Sequence, residues 1–275
     1  MLCRRAVVVV ITTASASAAI ADTLVTVAGG YAYAEDYGSI GAATVAHLNR
    51  ALGLTVDGSG NVYIADTGNN VIRKVNVGGT LTTVVGQYSS GCNCGVAGST
   101  SDPNNVPTNS QLNGPVSVAV TSNGAIMYIA DKNNFAVRAV GLTPFGVIST
   151  VIGQLGVQAS EGWSGHYFKP ERATTATLVG PIALCFSPDE TTVYFTNNYA
   201  IYGWNTSHLS LYAGGWSGGD SCNGASQTSC AATDARFAQT PSAIWMDTSW
   251  NMYVADYGMQ TIRKVGADGM VSVFR

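Results

Sequence analysis

Apolar and polar residues alternate in short blocks, and the same order of blocks occurs four times along the chain. Each unit begins with a short apolar segment, and a turn rich in glycine, serine or asparagine follows, as at 58–61. A second apolar segment then ends in an acid or an amide. Short blocks of branched and aromatic residues between such turns predict strands joined by hairpins. The four copies of the second segment are Val62-Tyr63-Ile64-Ala65-Asp66, Met127-Tyr128-Ile129-Ala130-Asp131, Val193-Tyr194-Phe195-Thr196-Asn197 and Met252-Tyr253-Val254-Ala255-Asp256.

Two further segments complete each unit. The third contains Arg73, Arg138 or Arg263, and it is degenerate at 200–204, where no arginine occurs. The fourth segment is again apolar and closes the unit. The tyrosines of the second segments are 65, 66 and 59 residues apart. The sequence therefore predicts one four-stranded antiparallel sheet per unit, at 53–85, 117–152, 182–213 and 243–274.

A single sheet of this kind cannot bury both of its faces. The second segment is apolar at consecutive positions, as in Val62-Tyr63-Ile64-Ala65, so it must be covered on both sides. Sheets stacked radially as propeller blades cover one another and leave only short edges. The fold class predicted is all-β, a β-propeller of four-stranded antiparallel blades with four blades visible.

The repeat resembles a known family. Residues 61–75, which read Asn-Val-Tyr-Ile-Ala-Asp-Thr-Gly-Asn-Asn-Val-Ile-Arg-Lys-Val, resemble an NHL repeat, as do Leu112-Asn113-Gly114-Pro115 and the closings at 25–29 and 83–86. The likeness extends over most of the chain after residue 21 and is weakest in the third unit. NHL propellers usually have six blades, so the resemblance implies a β-propeller in which four visible blades are a departure.

A predicted strand near the N-terminus bears on the number of blades. Residues 23–28 resemble a fourth strand with no blade before it, although 270–274 already give the last unit its own fourth strand. A truncated six-bladed ring, a four-bladed ring and an open arc all fit this pattern. An arc would expose the apolar faces of its end blades, so self-association or a longer parent chain is expected.

The first 21 residues have the features of a secretory signal peptide. Arg4 and Arg5 precede the apolar stretch 6–11, and Ala19-Ile20-Ala21 forms a cleavage site. An uncleaved anchor or an ordinary strand are the alternatives. The predicted domains are thus a signal peptide at 1–21 and a propeller at 22–275, in a protein that is secreted, or periplasmic if bacterial. Cleavage removes two arginines and no acid from a chain of net charge −3, which argues against nucleic acid and anionic membranes as partners.

Export would allow disulfides and glycosylation. Cys222 and Cys230 flank a small polar loop and are predicted to bridge. Cys92 and Cys94 favour disulfide chemistry over metal binding, with partners that stay open, and Cys185 lies in an apolar strand and is predicted to be buried. Asn205 begins an Asn-Thr-Ser sequon and is the predicted glycosylation site.

Asp66, Asp131 and Asp256 recur at the same position of the repeat. A ring of carboxylates for a metal or substrate is one interpretation. Recurrence in successive blades favours a structural one, in which each aspartate caps the turn that follows it. Arg73, Arg138 and Arg263 recur similarly and are predicted to pair with those aspartates or to cover blade edges. We therefore predict no catalytic residue, no metal and no cofactor at these positions. The histidines, at 47, 166 and 208, share no metal-ligand spacing.

Long polar connections between the blades contain the candidate binding residues. They lie at 87–110, 154–177 and 216–236, on the face expected to hold the second-to-third turns as well. Aromatic residues there suit protein or glycan contacts, although they would also suffice to pack their own loops. The candidates are Trp163, His166, Tyr167, Phe168 and Trp216.

The function predicted is an extracellular, non-enzymatic interaction or structural module that binds a protein or glycan through the loop-rich face. The resemblance also implies an alternative, because some related six-bladed propellers are metal-dependent lyases or lactone hydrolases with the metal at the channel. Binding of RNA, as in cytoplasmic NHL regulators, is disfavoured by the acidic charge and the export signal.

Overall fold

The structure of the protein is a computed structural model, and it describes residues 8–9, 26–29, 41–87, 105–143, 146–159, 172–206, 208–215 and 230–274. These residues form strands, short 3₁₀ turns and loops. No helix among them is long and apolar enough to span a bilayer. The strands before the second blade are β1 (Val8–Val9), β2 (Thr26–Ala28), β3 (Gly41–Ala42), β4 (Leu54–Val56), β5 (Val62–Asp66), β6 (Val71–Val75) and β7 (Thr80–Val85).

The later strands repeat the pattern of β4 to β7 three times. Blade 2 contains β8 (Pro115–Val120), β9 (Ile126–Asp131), β10 (Ala136–Gly141) and β11 (Ile148–Gly153). Blade 3 contains β12 (Leu184–Phe186), β13 (Val193–Asn197), β14 (Ala200–Trp204) and β15 (Leu209–Ala213). Blade 4 contains β16 (Cys230–Ala231), β17 (Ala243–Met246), β18 (Met252–Asp256), β19 (Thr261–Val265) and β20 (Met270–Val273).

Each predicted unit is one antiparallel sheet. Blade 1 has the order β3-β7-β6-β5-β4, and blade 4 the order β16-β20-β19-β18-β17, so both gain a two-residue strand at the outer edge. Blades 2 and 3 have four strands each. These strand orders confirm the predicted all-β fold of four-stranded antiparallel blades. Strands that follow one another in sequence are neighbours in the sheet, because each hairpin turn returns the chain beside the strand it has left.

The strand register confirms that the four tyrosines are equivalent. Tyr63 pairs with Thr55 on the first strand and with Lys74 on the third. Tyr253 pairs in the same way with Trp245 and Lys264. Residues paired directly across a sheet lie on the same face, so these side chains form one row across each blade.

The apolar core lies between the blades. We call the side of a blade that faces the next blade in sequence its forward face, and the other side its backward face. Tyr63 and Ile72 on the forward face of blade 1 pack against Val118 and Ile129 on the backward face of blade 2. Similar clusters join blades 2 and 3, and blades 3 and 4. All residues of the second strands β5 and β13 are thereby buried, on both sides of the sheet.

A glycine stands at the end of the fourth strand in blades 1 to 3, at Gly86, Gly153 and Gly214, because the chain turns close to its neighbour there. Gly86 has a φ of 100°, and a Cβ at this position would lie 2.6 Å from the backbone oxygen of Asn70. The Gly86 N–H bonds the Pro107 oxygen, as the Gly29 N–H bonds the Ala43 oxygen. Strand β2 therefore has the geometry of the fourth strand of a preceding blade, and residues 23–25 of the predicted strand 23–28 lie outside the described residues.

Strand β1 pairs with β2 and lies inside the predicted signal peptide at 1–21. This backbone pairing does not test cleavage, so the signal peptide stays a prediction. The first strands of the blades contact one another in the order β4, β8, β12, β17. The outward faces at the two ends of this series are partly open, since Leu54 is 48% and Ile262 44% exposed.

Candidate functional site

The repeat aspartates are buried among hydrogen-bond donors on one side of the blades. In blade 1, Asp66 accepts the N–H of Asn49 at 2.7 Å and the side-chain amide of Asn69 at 2.8 Å. Its carboxylate also pairs with Arg73 Nε at 3.3 Å. The Asp66 carboxylate thus links three segments of the chain, which are the connection before blade 1, the turn after β5 and the third strand, β6.

The same group recurs in the other blades. Asp131 accepts the Asn113 N–H and the Asn134 amide, both at 2.8 Å, and pairs with Arg138 at 3.5 Å. The third unit, where the sequence departs from the repeat, uses an amide instead, because Asn197 accepts the N–H groups of residues 179 and 180. The predicted pairing of repeat arginines with repeat aspartates is confirmed in blades 1, 2 and 4.

The prediction that each repeat aspartate caps the turn after it is wrong for Asp66 and Asp131. Only Asp256 accepts an N–H of the turn that follows it, from Met259 at 3.3 Å. The carboxylates of Asp66 and Asp131 accept no N–H from their 3₁₀ turns. The turn after Asp66 closes with its own backbone bond, from the Asn70 N–H to the Thr67 oxygen, and the carboxylate accepts the Asn49 N–H of the preceding connection.

Burial raises the pKa of all three repeat aspartates. Desolvation raises the pKa of Asp131 to about 6, although hydrogen bonds from residues 113 and 134 and the nearby Arg138 oppose the shift. The pKa values of Asp66 and Asp256 are raised for the same first reason. The carboxylates of Asp66, Asp131 and Asp256 each pair with the arginine of the same blade, which is the arrangement of a structural ion pair.

The connections 87–110, 154–177 and 216–236 are described in part. In the second of them, the Gly156 N–H bonds the oxygen of Asn134, in the turn after β9, at 3.0 Å. The candidate binding residues of these connections lie outside the described residues, so their role stays a prediction: Trp163, His166, Tyr167, Phe168 and Trp216.

The cysteines and the sequon are described in part. Cys230 is disulfide-bonded to a cysteine outside the described residues; Cys222 is also outside them, and the predicted pair stays a prediction. Cys185 is a free, buried thiol, as expected, and burial raises its pKa to about 12. Asn205 is exposed between β14 and β15, where its side-chain oxygen accepts the His208 N–H at 2.8 Å. Glycosylation of Asn205 stays a prediction.

The first strands of the four blades surround a cavity of about 330 Å³. Apolar and polar groups contribute comparably to its wall, which includes the hydroxyl-bearing residues Thr55, Ser117 and Ser242. The Ser117 hydroxyl accepts the Leu184 N–H at 3.1 Å, which ties neighbouring first strands together. The lining segments are 52–55, 116–119, 182–185 and 242–245.

Trp245 connects this cavity with the forward face of blade 4, which we call the end face. The indole is 61% exposed and stacks on Tyr253, with ring centroids 5.9 Å apart. Tyr253 also contacts Phe274 edge-on at 5.0 Å. The sequence reasoning missed this aromatic row. Its signal in the sequence was the large residue Trp245. The equivalent position of blade 1 holds Thr55, and each of the two residues pairs with the tyrosine of its second strand.

Within the described part of the chain, no group of three or more His, Cys, Asp or Glu side chains is placed to hold a metal ion. No protein-family model matches the chain, and no curated protein sequence does either. Solved structures do resemble it. An auxiliary nutrient-binding protein from Bacteroides thetaiotaomicron superimposes with a TM-score of 0.54 and 12% identity, over 92% of this chain and 51% of that one.

Two other solved structures give similar values. An auxiliary nutrient-binding protein from Bacteroides ovatus matches with a TM-score of 0.51 and 15% identity, over 84% of this chain and 50% of that one. A putative phosphatase from Bacteroides thetaiotaomicron matches with a TM-score of 0.52 and 16% identity, over 94% and 52%. The chain spans about half the length of these structures. At this identity the likeness shows the fold alone, and that fold is a β-propeller.

Proposed function

We propose that this chain is an exported, non-enzymatic binding module that holds a protein or glycan partner. The observation that carries the proposal is the cavity of about 330 Å³ between the first strands, whose lining includes the exposed Trp245. Four blades contribute to its wall, so a ligand there would contact every repeat. A wall with both apolar and hydroxyl-bearing residues offers a ligand apolar contacts and hydrogen bonds.

The repeat aspartates support this assignment by what they already do. Asp66 and Asp131 are each held by an arginine, an asparagine amide and a backbone N–H. A carboxylate with three such partners is a poor general base and a poor metal ligand, because each new contact would break an existing bond in a buried site. We assign these groups to stabilising the blades.

Export and the loop-rich face complete the proposal. The signal peptide at 1–21 would direct the chain out of the cytoplasm, and the connections around Trp163 and Trp216 would extend the binding surface. The same fold occurs in two proteins described as nutrient-binding, so it is compatible with such a role. The NHL family is part of the proposal and rests on the repeat at 61–75.

The test is a ligand-observed NMR screen of the secreted, purified chain against oligosaccharides, peptides and lactones. Saturable binding of a ligand that is recovered unchanged after long incubation supports the binding module. Conversion of a lactone or peptide, abolished by a chelator, would instead establish the lyase or lactonase alternative. Absence of saturable binding across the three ligand classes counts against the proposed function.

A further inference from the structure

Blade 2 buries polar atoms that have no hydrogen-bond partner among the residues that the structure describes. Arg138 is 3% exposed, and neither its Nε nor its Nη1 group has an acceptor in hydrogen-bond geometry. Its ion pair with Asp131 spans 3.5 Å between Nη1 and Oδ2, which is longer than a good hydrogen bond. The side-chain oxygen of Asn134, which is 1% exposed, accepts no hydrogen bond either. Buried groups of this kind are uncommon in native proteins, and an ordered water or ion is a usual reason for them.

The equivalent guanidinium of blade 1 is hydrogen-bonded. Arg73 donates from Nε to Asp66 at 3.3 Å, and from Nη1 to the hydroxyl of Thr83, the residue that pairs with it on β7. Thr150 pairs with Arg138 on β11 in the same register, so blade 2 has the same hydroxyl at the same position. Arg138 does not bond it. The two blades therefore differ in how the arginine is placed and not in which residues surround it.

The unbonded atoms of blade 2 belong to two side chains that meet at one oxygen. Asn134 Nδ2 donates to Asp131 Oδ2 at 2.8 Å, and the Arg138 guanidinium lies against the same atom. The turn that holds Asn134 is itself fixed, because its main-chain oxygen accepts the Gly156 N–H at 3.0 Å. Blade 2 packs between blades 1 and 3, so the burial of this cluster does not depend on either end of the chain.

We propose that blade 2 binds an internal water molecule between the side chains of Arg138 and Asn134. The types of group present select this ligand, because a guanidinium has only donors whereas an amide oxygen is an acceptor. A water molecule accepts from the first and donates to the second, and buried waters make about three such bonds. An anion would be attracted by Arg138 but repelled by the amide oxygen and by Asp131. The water joins β10 to the turn after β9, and so replaces the bond that Thr83 makes in blade 1.

A high-resolution crystal structure of the secreted chain, with a parallel bromide soak, tests the proposal. We expect one ordered water within about 2.7–3.2 Å of both the Arg138 guanidinium and Asn134 Oδ1. Blade 1 is the internal control, because the Arg73 guanidinium already has two acceptors there. No water should bridge Arg73 and Asn69.

A matched pair of variants tests the same arrangement in solution. Thr83→Val should lower the urea concentration at the midpoint of unfolding, because it removes an acceptor from a buried guanidinium. Thr150→Val should leave the midpoint unchanged, because Thr150 is not bonded to its arginine. Both changes keep the shape of the side chain and lie at the same position of the repeat, so the comparison isolates the hydroxyl.

Three results would overturn the assignment. One is a crystal in which no water bridges Arg138 and Asn134. Another is an anomalous bromide signal at this position, which would identify an anion as the ligand. The third is an equal loss of stability in Thr83→Val and Thr150→Val, which would mean that Arg138 bonds Thr150 in solution and has no need of a water.

Discussion

Ile262 in blade 4 holds the position that Ile72 holds in blade 1, and the two side chains differ in what covers them. Both pair with an alanine of the second strand and lie on the forward face. Ile72 is completely buried against blade 2, whereas Ile262 is 44% exposed. The pair therefore reports directly on whether the end face is open in solution.

Ile72→Ala should lower the free energy of unfolding by about 2–5 kcal/mol, and Ile262→Ala by less than about 1 kcal/mol. The large loss follows because truncation of a buried isoleucine leaves a cavity. Urea unfolding followed by circular dichroism measures both values. Equal losses in the two variants would mean that another blade or another copy covers the end face.

Removing one partner of the buried pair between Asp131 and Arg138 should be strongly destabilising. Their side chains are 0% and 4% exposed, so either single change leaves an uncompensated charge in the core. We expect Arg138→Met to lower the free energy of unfolding by about 3–5 kcal/mol. Asp234→Asn, at an exposed acid, is the control and should stay within about 0.5 kcal/mol of the wild type in the same urea experiment. A loss below about 1 kcal/mol for Arg138→Met would contradict the structural role of the pair.

Stability should depend on pH through Asp131 in an unusual direction. Burial raises the pKa of this carboxyl to about 6, above its unfolded value of about 3.9. Its contribution is thus fully present below pH 4 and is lost as the pH rises through about 6. The stability of the wild type relative to Asp131→Asn should fall between pH 4 and 7. A relative stability that rises over this range would show that Arg138 dominates the titration.

Asp57 should behave in the opposite way. Burial alone would raise its pKa, but bonds from the Asn61 amide and N–H, the Tyr63 hydroxyl and the Ser59 N–H together lower it. A lowered pKa gives stability that is present above about pH 4 and is lost as the pH falls through the folded value. Asp57→Asn should therefore cost most at neutral pH and progressively less on acidification, as urea unfolding at several pH values would show. A cost that is independent of pH would refute the assignment.

The partner of Cys230 is expected to be Cys222. Closing this short polar loop would constrain the segment before blade 4, where β16 pairs with β20. Peptide mapping by mass spectrometry without reduction should recover residues 222 and 230 in one linked peptide, and Cys222→Ser should leave a free thiol at 230. A linked peptide with Cys92 or Cys94 would show that the bridge joins distant connections instead.

The sequence by itself determined the blades. The spacing of Tyr63, Tyr128, Tyr194 and Tyr253, together with the turns after each strand, predicted the four sheets, and the observed registers place these residues in equivalent positions. Such patterns are readable because hairpin pairing is local and the period of side chains along a strand is two. The pairing of repeat arginines with repeat aspartates was also predictable, because both recur at fixed positions.

The tertiary structure decided which groups meet across the repeats. Asp66 was expected to cap its own turn, but it bonds Asn49, a residue of the connection that the sequence pattern did not place beside it. In the sequence, Trp245 is one apolar residue of a predicted first strand, and only the folded chain shows that it is 61% exposed. A local pattern specifies a blade, whereas its neighbour is set by packing between segments about 60 residues apart, and only the folded arrangement shows which apolar faces of neighbouring blades pack together.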